Sequence, residues 1–287
     1  MLKELKELWH FRYLLYVLVR RDLKVRYKNS ALGFVWSIAP TLLQLLVFSF
    51  FFHNVLNVKT QNFSAYVLCG LIPWGFFSAA LLDASQSLLT NYAIIRKIYL
   101  PREIIPLASV LGGFVHYMLA WAVYFVAFFG VARLIGIEIP ILPTLAWFPF
   151  ITLAMLLFTT GLSLWAAALN VFYQDVKFIL QTGLVLLFFV FPVIYPIENV
   201  YYNSGTLRTH PWLFKLYQYI PISAIIESYR KTLLQPVPRG SFGLSANVMP
   251  IDMNWKALWF TFALSLLIAY TGYWYFNRRK WQFVERP

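Results

Sequence analysis

Long runs of apolar residues constrain this chain more than any other feature of its sequence. A helix needs about 20 mainly apolar residues to cross the hydrocarbon core of a bilayer. Six stretches meet that requirement, at roughly 31–53, 64–84, 104–134, 143–171, 178–197 and 255–276. Because the backbone must satisfy its own hydrogen bonds in lipid, the pattern predicts an all-α integral membrane protein with six transmembrane helices.

The composition agrees with lipid as the main surrounding of the chain. Hydrophobic residues make up 60% of the 287 residues and charged residues 12%, whereas a soluble domain carries about 25% charged residues. A net charge of +13 would suggest nucleic acid as the partner of a soluble protein. Here the cations lie near the ends of the apolar runs, so we expect contact with membrane lipids and no nucleic-acid partner.

The placement of Lys and Arg predicts the orientation of the chain. With the N-terminus in the cytoplasm, most cations outside residues 198–253 fall into inside segments, as the positive-inside rule requires. Both termini are then cytoplasmic. Residues 1–30 are predicted to form an amphipathic interfacial helix, residues 31–277 the six-helix transmembrane domain, and residues 278–287 a cytoplasmic tail.

A basic collar precedes the first apolar run. It consists of Arg20, Arg21, Lys24, Arg26 and Lys28. On a helical wheel of residues 8–28, apolar side chains gather on one side and most collar cations on the other, which is typical of a helix lying flat in the membrane interface. Two interpretations stay open, namely a simple positive-inside anchor or an additional role in binding a charged substrate group.

No catalytic motif is complete in this sequence. The stretch GLIPWGFF, residues 70–77, has the glycine spacing of a phosphate loop, but Phe76 and Phe77 stand where Lys and Ser/Thr would grip phosphate. No zinc or nucleophile-elbow motif is present, so neither a catalytic nor a metal site is predicted. Midplane carboxylates, which ion-coupled carriers use, are also lacking. The chain is therefore expected to be no enzyme by itself and to draw its driving energy from elsewhere.

Four segments, in this order, resemble the type 2 ABC-transporter (ABC-2) permeases that export polysaccharides. That family includes membrane subunits for O-antigen, capsular polysaccharide and teichoic acid. The segments are RRDLKVRYKNSALGFVWSIAPTLLQ (20–44), NYAIIRKIYLPREIIP (91–106), ALNVFYQDVKFIL (168–180) and YIPISAIIESYRKTLL (219–234). The last segment departs from the family pattern, because Tyr219 and Ile220 stand where the family usually has Asn.

The resemblance implies the ABC-2, or type V exporter, fold in the bacterial cytoplasmic membrane. It implies a homodimer that pairs with two copies of a cytoplasmic ABC ATPase subunit, which binds ATP and Mg, while this chain holds no cofactor. The implied substrate is a glycopolymer, often linked to polyprenyl diphosphate, that passes between the two permease copies. An ABC-2 exporter of a lipid or drug is the alternative; a membrane glycosyltransferase or polymerase, a channel and a scaffold are further ones.

Four groups of residues are predicted to carry this function. Recognition of the substrate's head is assigned to the collar and the turn after it: Arg20, Arg21, Lys24, Arg26, Lys28, Leu32, Gly33 and Trp36. Coupling to the ATPase is assigned to two inner loops: Tyr92, Arg96, Lys97, Tyr99 and Asp175. The channel lining is assigned to aromatic residues of the first and fifth spans: Phe34, Phe48, Phe51, Phe188, Phe191 and Tyr195. An outer gate is assigned to Pro221, Glu227 and Arg230.

Two short helices are predicted before the last span. The pieces PWLFKLYQYI and PISAIIESYRKTLLQP are too short to cross a bilayer, and Pro211 and Pro221 suit the first turns of helices. Family resemblance points to re-entrant helices at this place. A hairpin lying on the outer surface stays open as the alternative.

Overall fold

The computed structural model describes residues 2–26, 39–51, 63–97, 100–131, 143–204, 209–234 and 251–284. Within these ranges every regular element is a helix, as the all-α prediction requires. The α-helices are α1 (Leu2–His10), α2 (Arg12–Arg26), α3 (Ala39–Phe50), α4 (Phe63–Thr90), α5 (Tyr92–Lys97), α6 (Ile104–Phe125), α7 (Phe148–Phe172), α8 (Val176–Val190), α9 (Ile197–Asn203), α10 (Pro211–Tyr219), α11 (Pro221–Leu233) and α12 (Trp255–Arg279).

Four of these helices are long and apolar enough to cross a membrane. They are α4, α6, α7 with the turn before it and α12 with the turn after it. The apolar helices α3 and α8 have 12 and 15 residues. Residues 31–38 and 52–53 of the first predicted span lie outside the described ranges. The multi-pass membrane architecture is thus confirmed, while the count of six spans stays a prediction.

Helix α8 ends earlier than the predicted span 178–197. Its last residue is Val190, and Pro192 follows two residues later, where a proline cannot continue a helix. The Tyr195 hydroxyl donates to the carbonyl of Val190 at 2.7 Å, and the Tyr217 hydroxyl donates to the same carbonyl at 2.9 Å. The chain therefore turns back on the end of α8 instead of extending it.

The N-terminal segment forms two helices instead of the single predicted one. Helices α1 and α2 are separated at Phe11. Leu18 on the apolar side of α2 is buried in a cluster with Ile104 and Ala108 of α6, and Leu14 packs against the same cluster. Part of the stripe expected to face acyl chains therefore packs on the protein, which joins α2 to the bundle.

Helix α4 lies at the centre of the bundle and contacts α3, α6, α7, α8 and α11. Aromatic side chains fill the space beside it. The Trp121 ring lies 4.7 Å from the Tyr229 ring. The Tyr229 hydroxyl accepts a hydrogen bond from Tyr117 at 2.5 Å and lies 2.8 Å from the Thr152 hydroxyl. These buried hydroxyls satisfy one another, as polar groups in an apolar core must, and they join α6, α7 and α11.

Helices α7 and α12 approach each other at two glycines. A Cβ atom at Gly161 would lie 2.5 Å from the carbonyl of Ile268, and one at Gly272 would overlap the Gly161 carbonyl oxygen. Small residues at such crossings let helix backbones touch in membrane proteins. The close packing of α7 on α12 thus depends on the absence of side chains at these two positions.

We predict that Gly161→Ala destabilises the protein, because the added methyl group meets backbone atoms that cannot move alone. Overpacking of this kind costs about 1–3 kcal/mol, measurable as a lower midpoint of heat denaturation of the detergent-solubilised protein. Gly75→Ala is the matched control, because nothing lies within 4 Å of a Cβ at Gly75. Equal midpoints for the two variants would contradict the close contact of α7 and α12.

Candidate functional site

The collar cations of α2 differ in what they contact. Arg20 and Lys24 are exposed. Arg21 instead donates from Nη2 to Asp22 Oδ1 at 2.8 Å and to Asn91 Oδ1 at 2.9 Å. Asn91 lies between α4 and α5 and is fixed in turn by a hydrogen bond to the Ser87 carbonyl at 2.9 Å. Arg21 therefore connects α2 to the end of α4 that precedes α5.

Several predicted residues of the collar region lie outside the described part of the chain. Arg26 is the last residue of α2, and its side chain is not described. Residues Lys28, Leu32, Gly33, Phe34 and Trp36 fall in the range 27–38, which is outside the described residues as well. Their predicted roles in head recognition and channel lining stay predictions.

The predicted coupling segment contains the short helix α5, which follows Asn91 directly. Lys97 is exposed at its end and Tyr92 is half-buried at its start. The side chain of Arg96 and residue Tyr99 lie outside the described residues. The sequence indicated a short helical piece in this loop, and the structure has one.

The far end of this segment contacts Lys280, the first residue after α12. Arg102 donates to the carbonyl oxygen of Lys280, and the Lys280 ammonium lies 3.5 Å from Glu103 Oε1. Glu103 is fully buried, and burial raises the pKa of its carboxyl group while Lys280 opposes that rise. Contacts thus attach the chain on both sides of α5, to α2 through Asn91 and to the turn after α12 through Arg102 and Glu103.

The second inner loop joins α7 to α8 and carries the exposed Asp175. The buried Asn170 holds this loop: Asn170 Nδ2 donates to the Ser85 carbonyl at 3.0 Å, and Asn170 Oδ1 accepts from the Lys177 amide at 3.1 Å. Sequence reasoning did not select Asn170 or Asn91. An amide side chain at the end of an apolar helix is the signal that could have drawn attention to both.

Three predicted channel residues gather around Trp74 of α4. The rings of Phe48 and Phe188 stack at 6.1 Å, and Trp74 lies 5.9 Å from Phe188 and 6.2 Å from Phe191. Phe191 is buried, whereas Phe51 at the end of α3 is 46% exposed. The structure thus brings aromatic residues of α3, α4 and α8 together.

The predicted gate residue Arg230 is buried and binds the turn after α8. Its guanidinium donates to the carbonyls of Pro192 at 2.6 Å, Val193 at 2.5 Å and Tyr195 at 3.0 Å. It also donates to the Tyr66 carbonyl at 3.3 Å and lies 4.1 Å from the centre of the Tyr66 ring. One side chain therefore connects α11, α4 and the end of α8.

Glycine makes room for this contact. A Cβ atom at Gly70 of α4 would overlap the Val193 carbonyl oxygen and would lie 2.7 Å from Arg230 Nη2. Sequence reasoning assigned Gly70 only to a false phosphate loop. Its role is to let the turn after α8 approach the backbone of α4.

Charged residues beside Arg230 form a compact group. Lys231 lies 2.5 Å from Glu198 Oε1 and 3.3 Å from Glu227 Oε1, and Glu227 Oε2 lies 3.8 Å from Arg230. The amide of Ile251 donates to Glu198 at 3.1 Å. Glu198 and Lys231, which the sequence did not single out, thus join the predicted gate residues. Pro221 begins the same helix, α11.

Comparison with known proteins identifies the family of the chain. The pattern of the family described as ABC-2 type transporter matches residues 13–234. This chain belongs to the ABC-2 type transporter family. The match covers the collar, the coupling segment and the Arg230 turn, so the three parts described above all lie within the ABC-2 region.

Curated relatives of this ABC-2 protein extend over most of its length. Two proteins of Klebsiella pneumoniae named O-antigen export system permease protein RfbA are each 27% identical to it over 275 residues, which cover 95% of this chain and 94% of the relative. A Myxococcus xanthus protein of the same name is 30% identical over 207 residues, 71% of this chain and 76% of the relative. The similarity to the Klebsiella pneumoniae relatives therefore extends beyond residues 13–234, the part of the chain that the family pattern matches.

We predict that Arg230→Lys destabilises this ABC-2 protein although it keeps the charge. A lysine lacks the fork of donors that reaches several carbonyls, and a buried carbonyl without a donor costs about 1–3 kcal/mol. The midpoint of heat denaturation in detergent should fall by several degrees. Arg278→Lys at an exposed position is the matched control and should leave the midpoint unchanged. An unaltered midpoint for Arg230→Lys would show that these carbonyls find other donors.

Proposed function

We propose that this chain is the membrane permease subunit of an ABC exporter that carries a polysaccharide, such as an O-antigen, a capsule or a teichoic acid, across the cytoplasmic membrane. The observation that carries the proposal is the likeness to O-antigen export permeases along 95% of the chain. Four apolar helices of spanning length support the membrane location. The orientation with both termini in the cytoplasm follows from the placement of Lys and Arg.

A separate ATPase subunit would supply the energy for this transport. The sequence offers no complete phosphate loop, because Phe76 and Phe77 follow the glycine spacing. We propose a homodimer of this chain with two ATPase subunits, each holding its own ATP and Mg. The pathway would then run between the two permease copies, with the aromatic group around Trp74 near it.

Helix α5 is the part of the described chain best suited to receive movement of the ATPase. Its exposed Lys97 can meet an acidic groove of a partner. A hydrogen bond between Arg21 and Asn91 attaches one end of its segment to α2, and the Glu103–Lys280 ion pair attaches the other end to the turn that follows α12. Displacement of α5 would therefore act on the interfacial helix and the last span together.

The exposed cations of α2 are the proposed contacts of a charged lipid head. Arg20 and Lys24 are exposed and four residues apart, hence on one side of the helix. Arg side chains suit bidentate contact with phosphate oxygens. Arg21 already donates to Asp22 and Asn91, so its part is to hold α2 in place. A diphosphate on a polyprenyl carrier fits Arg20 and Lys24, and Arg26 and Lys28 stay part of the predicted contact.

Helices α10 and α11 are proposed to narrow the outer end of the pathway. Both are short, at 9 and 13 residues, and each begins with proline. Arg230 fixes α11 to α4 and to the turn after α8, so the pair moves only with these neighbours. Re-entry into the membrane is the proposed arrangement, and a hairpin on the outer surface is its alternative.

Substrate class is tested with the purified complex of this chain and its ATPase partner in lipid nanodiscs. We expect polyprenyl-diphosphate-linked glycan to stimulate ATP hydrolysis. Stimulation by hydrophobic drugs or phospholipids and none by the glycan would favour the exporter of a lipid or drug. Covalent extension of the glycan by the purified chain would instead indicate a glycosyltransferase.

We predict that the double charge reversal of Arg96 and Lys97 to Glu weakens coupling and leaves membrane insertion intact. Like charges brought together at an interface cost several kcal/mol, so glycan-stimulated ATP hydrolysis should fall at least about tenfold. The control is Lys256→Glu, a charge reversal at an exposed position near the start of α12. Full glycan stimulation of ATP hydrolysis in the double variant would show that α5 does not couple the permease to the ATPase.

A further inference from the structure

Three aromatic side chains are largely exposed along the N-terminal helices. They are Trp9, Tyr13 and Tyr16, with exposed fractions of 70%, 75% and 58%. Phe11 separates α1 from α2, but its amide donates to the Glu7 carbonyl and its carbonyl accepts from the Leu15 amide, each at 3.1 Å. Hydrogen bonds between residues four apart are those of an α-helix, so the helical phase continues from α1 into α2.

The three rings lie on one side of this helix together with two cations of the collar. Residues three or four positions apart lie on the same face of an α-helix. The series with these spacings is Trp9, Tyr13, Tyr16, Arg20 and Lys24, and both cations in it are exposed. We call this series the aromatic–basic stripe. It presents rings at its start and positive charge at its end.

The apolar side of the same helix is covered by protein. Leu18 is buried against Ile104 and Ala108 of α6, and Leu14 packs against the same cluster. A helix that enters the acyl region of a membrane carries large apolar residues on the immersed side. The aromatic–basic stripe contains no Leu, Ile or Phe, and each of its five side chains carries a polar or charged group. It therefore suits a polar ligand better than acyl chains.

The chemistry of the stripe matches a glycan that is joined to a phosphate. Tyr and Trp offer flat apolar ring faces with a polar atom at the edge. A sugar ring is complementary to them, because it has C–H groups on its faces and hydroxyls at its rim that can pair with a tyrosine hydroxyl. Arg20 and Lys24 in turn are complementary to phosphate oxygens.

The spacing along the stripe allows one ligand to use both of its parts. The Cβ atoms of residues four apart on a helix lie about 5–6 Å from each other, which is the separation expected between Tyr16 and Arg20. The first sugar of a lipid-linked glycan is bonded directly to the diphosphate, so the sites for the two must be adjacent and on one side of the helix. Tyr13 and Trp9 continue the stripe away from the cations, at about 1.5 Å of helix rise per residue.

We propose that Tyr16, Tyr13 and Trp9 form a stacking track for the sugars nearest to the carrier lipid, whose diphosphate binds at Arg20 and Lys24. This inference rests on the proposed export function and adds to it a sugar contact outside the predicted channel. With the N-terminus in the cytoplasm, the stacking track lies on the side from which the glycan enters.

The test compares two probes, undecaprenyl diphosphate alone and undecaprenyl diphosphate carrying two N-acetylglucosamine units. Their dissociation constants are measured for the complex with its ATPase subunit in nanodiscs, and the wild type should bind the glycosylated lipid more tightly. The guanidinium of Arg12 lies 5.3 Å from the centre of the Trp9 ring, so the variants target the two tyrosines. Tyr16→Ala and Tyr13→Ala should each reduce the preference by about 2–10-fold, the effect of one lost ring contact, and leave binding of the bare lipid unchanged. Tyr16→Phe keeps the ring and should keep the preference.

Two further variants serve as controls. Tyr270→Ala removes a tyrosine of α12 that is 58% exposed, as Tyr16 is, but lies outside the stripe, so it should keep the preference. The double variant Arg20→Ala with Lys24→Ala should weaken both probes by at least about tenfold, because both carry the diphosphate. All variants are first compared by the elution of the intact complex in size-exclusion chromatography.

The outcomes separate the stacking track from the export function. Equal binding of both probes by the wild type, or an unchanged preference in both tyrosine-to-alanine variants, would overturn the stacking track while glycan-stimulated ATP hydrolysis still supported the exporter. Equal weakening of both probes by Tyr16→Ala would overturn it too, since the ring would then only anchor the helix at the membrane. Loss of the preference in Tyr16→Phe would contradict stacking, because the ring is retained. Wild-type complex that binds neither probe and is not stimulated by the glycan would overturn the proposed function and the stacking track with it.

Discussion

Backbone hydrogen bonding in a lipid environment is the constraint on which the end of the bundle around α11 and the turn after α8 depends. A carbonyl group without a donor is costly where water is absent, and the chain after Val190 leaves the helix. Arg230 supplies donors to three carbonyls there and to that of Tyr66 in α4, and Tyr195 and Tyr217 both donate to Val190. Side chains of other elements consequently satisfy the backbone carbonyls at the end of α8 and in the turn after it. These hydrogen bonds fix α8, α4 and α11 relative to one another.

The end of the bundle that carries α5 also includes a contact of another kind. Arg21 and Asp22 are each more than a third exposed, and such ion pairs contribute only about 0–1 kcal/mol. The link from Arg21 to Asn91 is therefore easier to rearrange than the buried bonds of Arg230. The contact of Arg21 with Asn91 is therefore the weaker attachment of the chain around α5, because the Glu103–Lys280 pair on the other side of α5 is buried.

The sequence predicted local structure well and long-range contacts poorly. Apolar length predicted α4, α6, α7 and α12, and prolines predicted the starts of α10 and α11, because both signals are local. Periodicity showed that α2 has an apolar side but could not tell whether lipid or α6 covers it. The bond of Asn170 to Ser85 and that of Arg230 to Tyr66 join residues 85 and 164 positions apart, and a single sequence without its fold contains no signal for such pairs.

The basic collar looks uniform in the sequence, but its cations have different contacts in the structure. Five cations within nine residues invite one explanation, either an anchor or a binding site. In the helix, Arg20 and Lys24 are exposed, whereas Arg21 turns towards Asn91. One helix therefore presents cations to its surroundings on one side and holds the end of α4 on the other. Asn91 lies one residue before α5, so under the proposed function an anion bound by Arg20 and Lys24 would act close to the coupling helix.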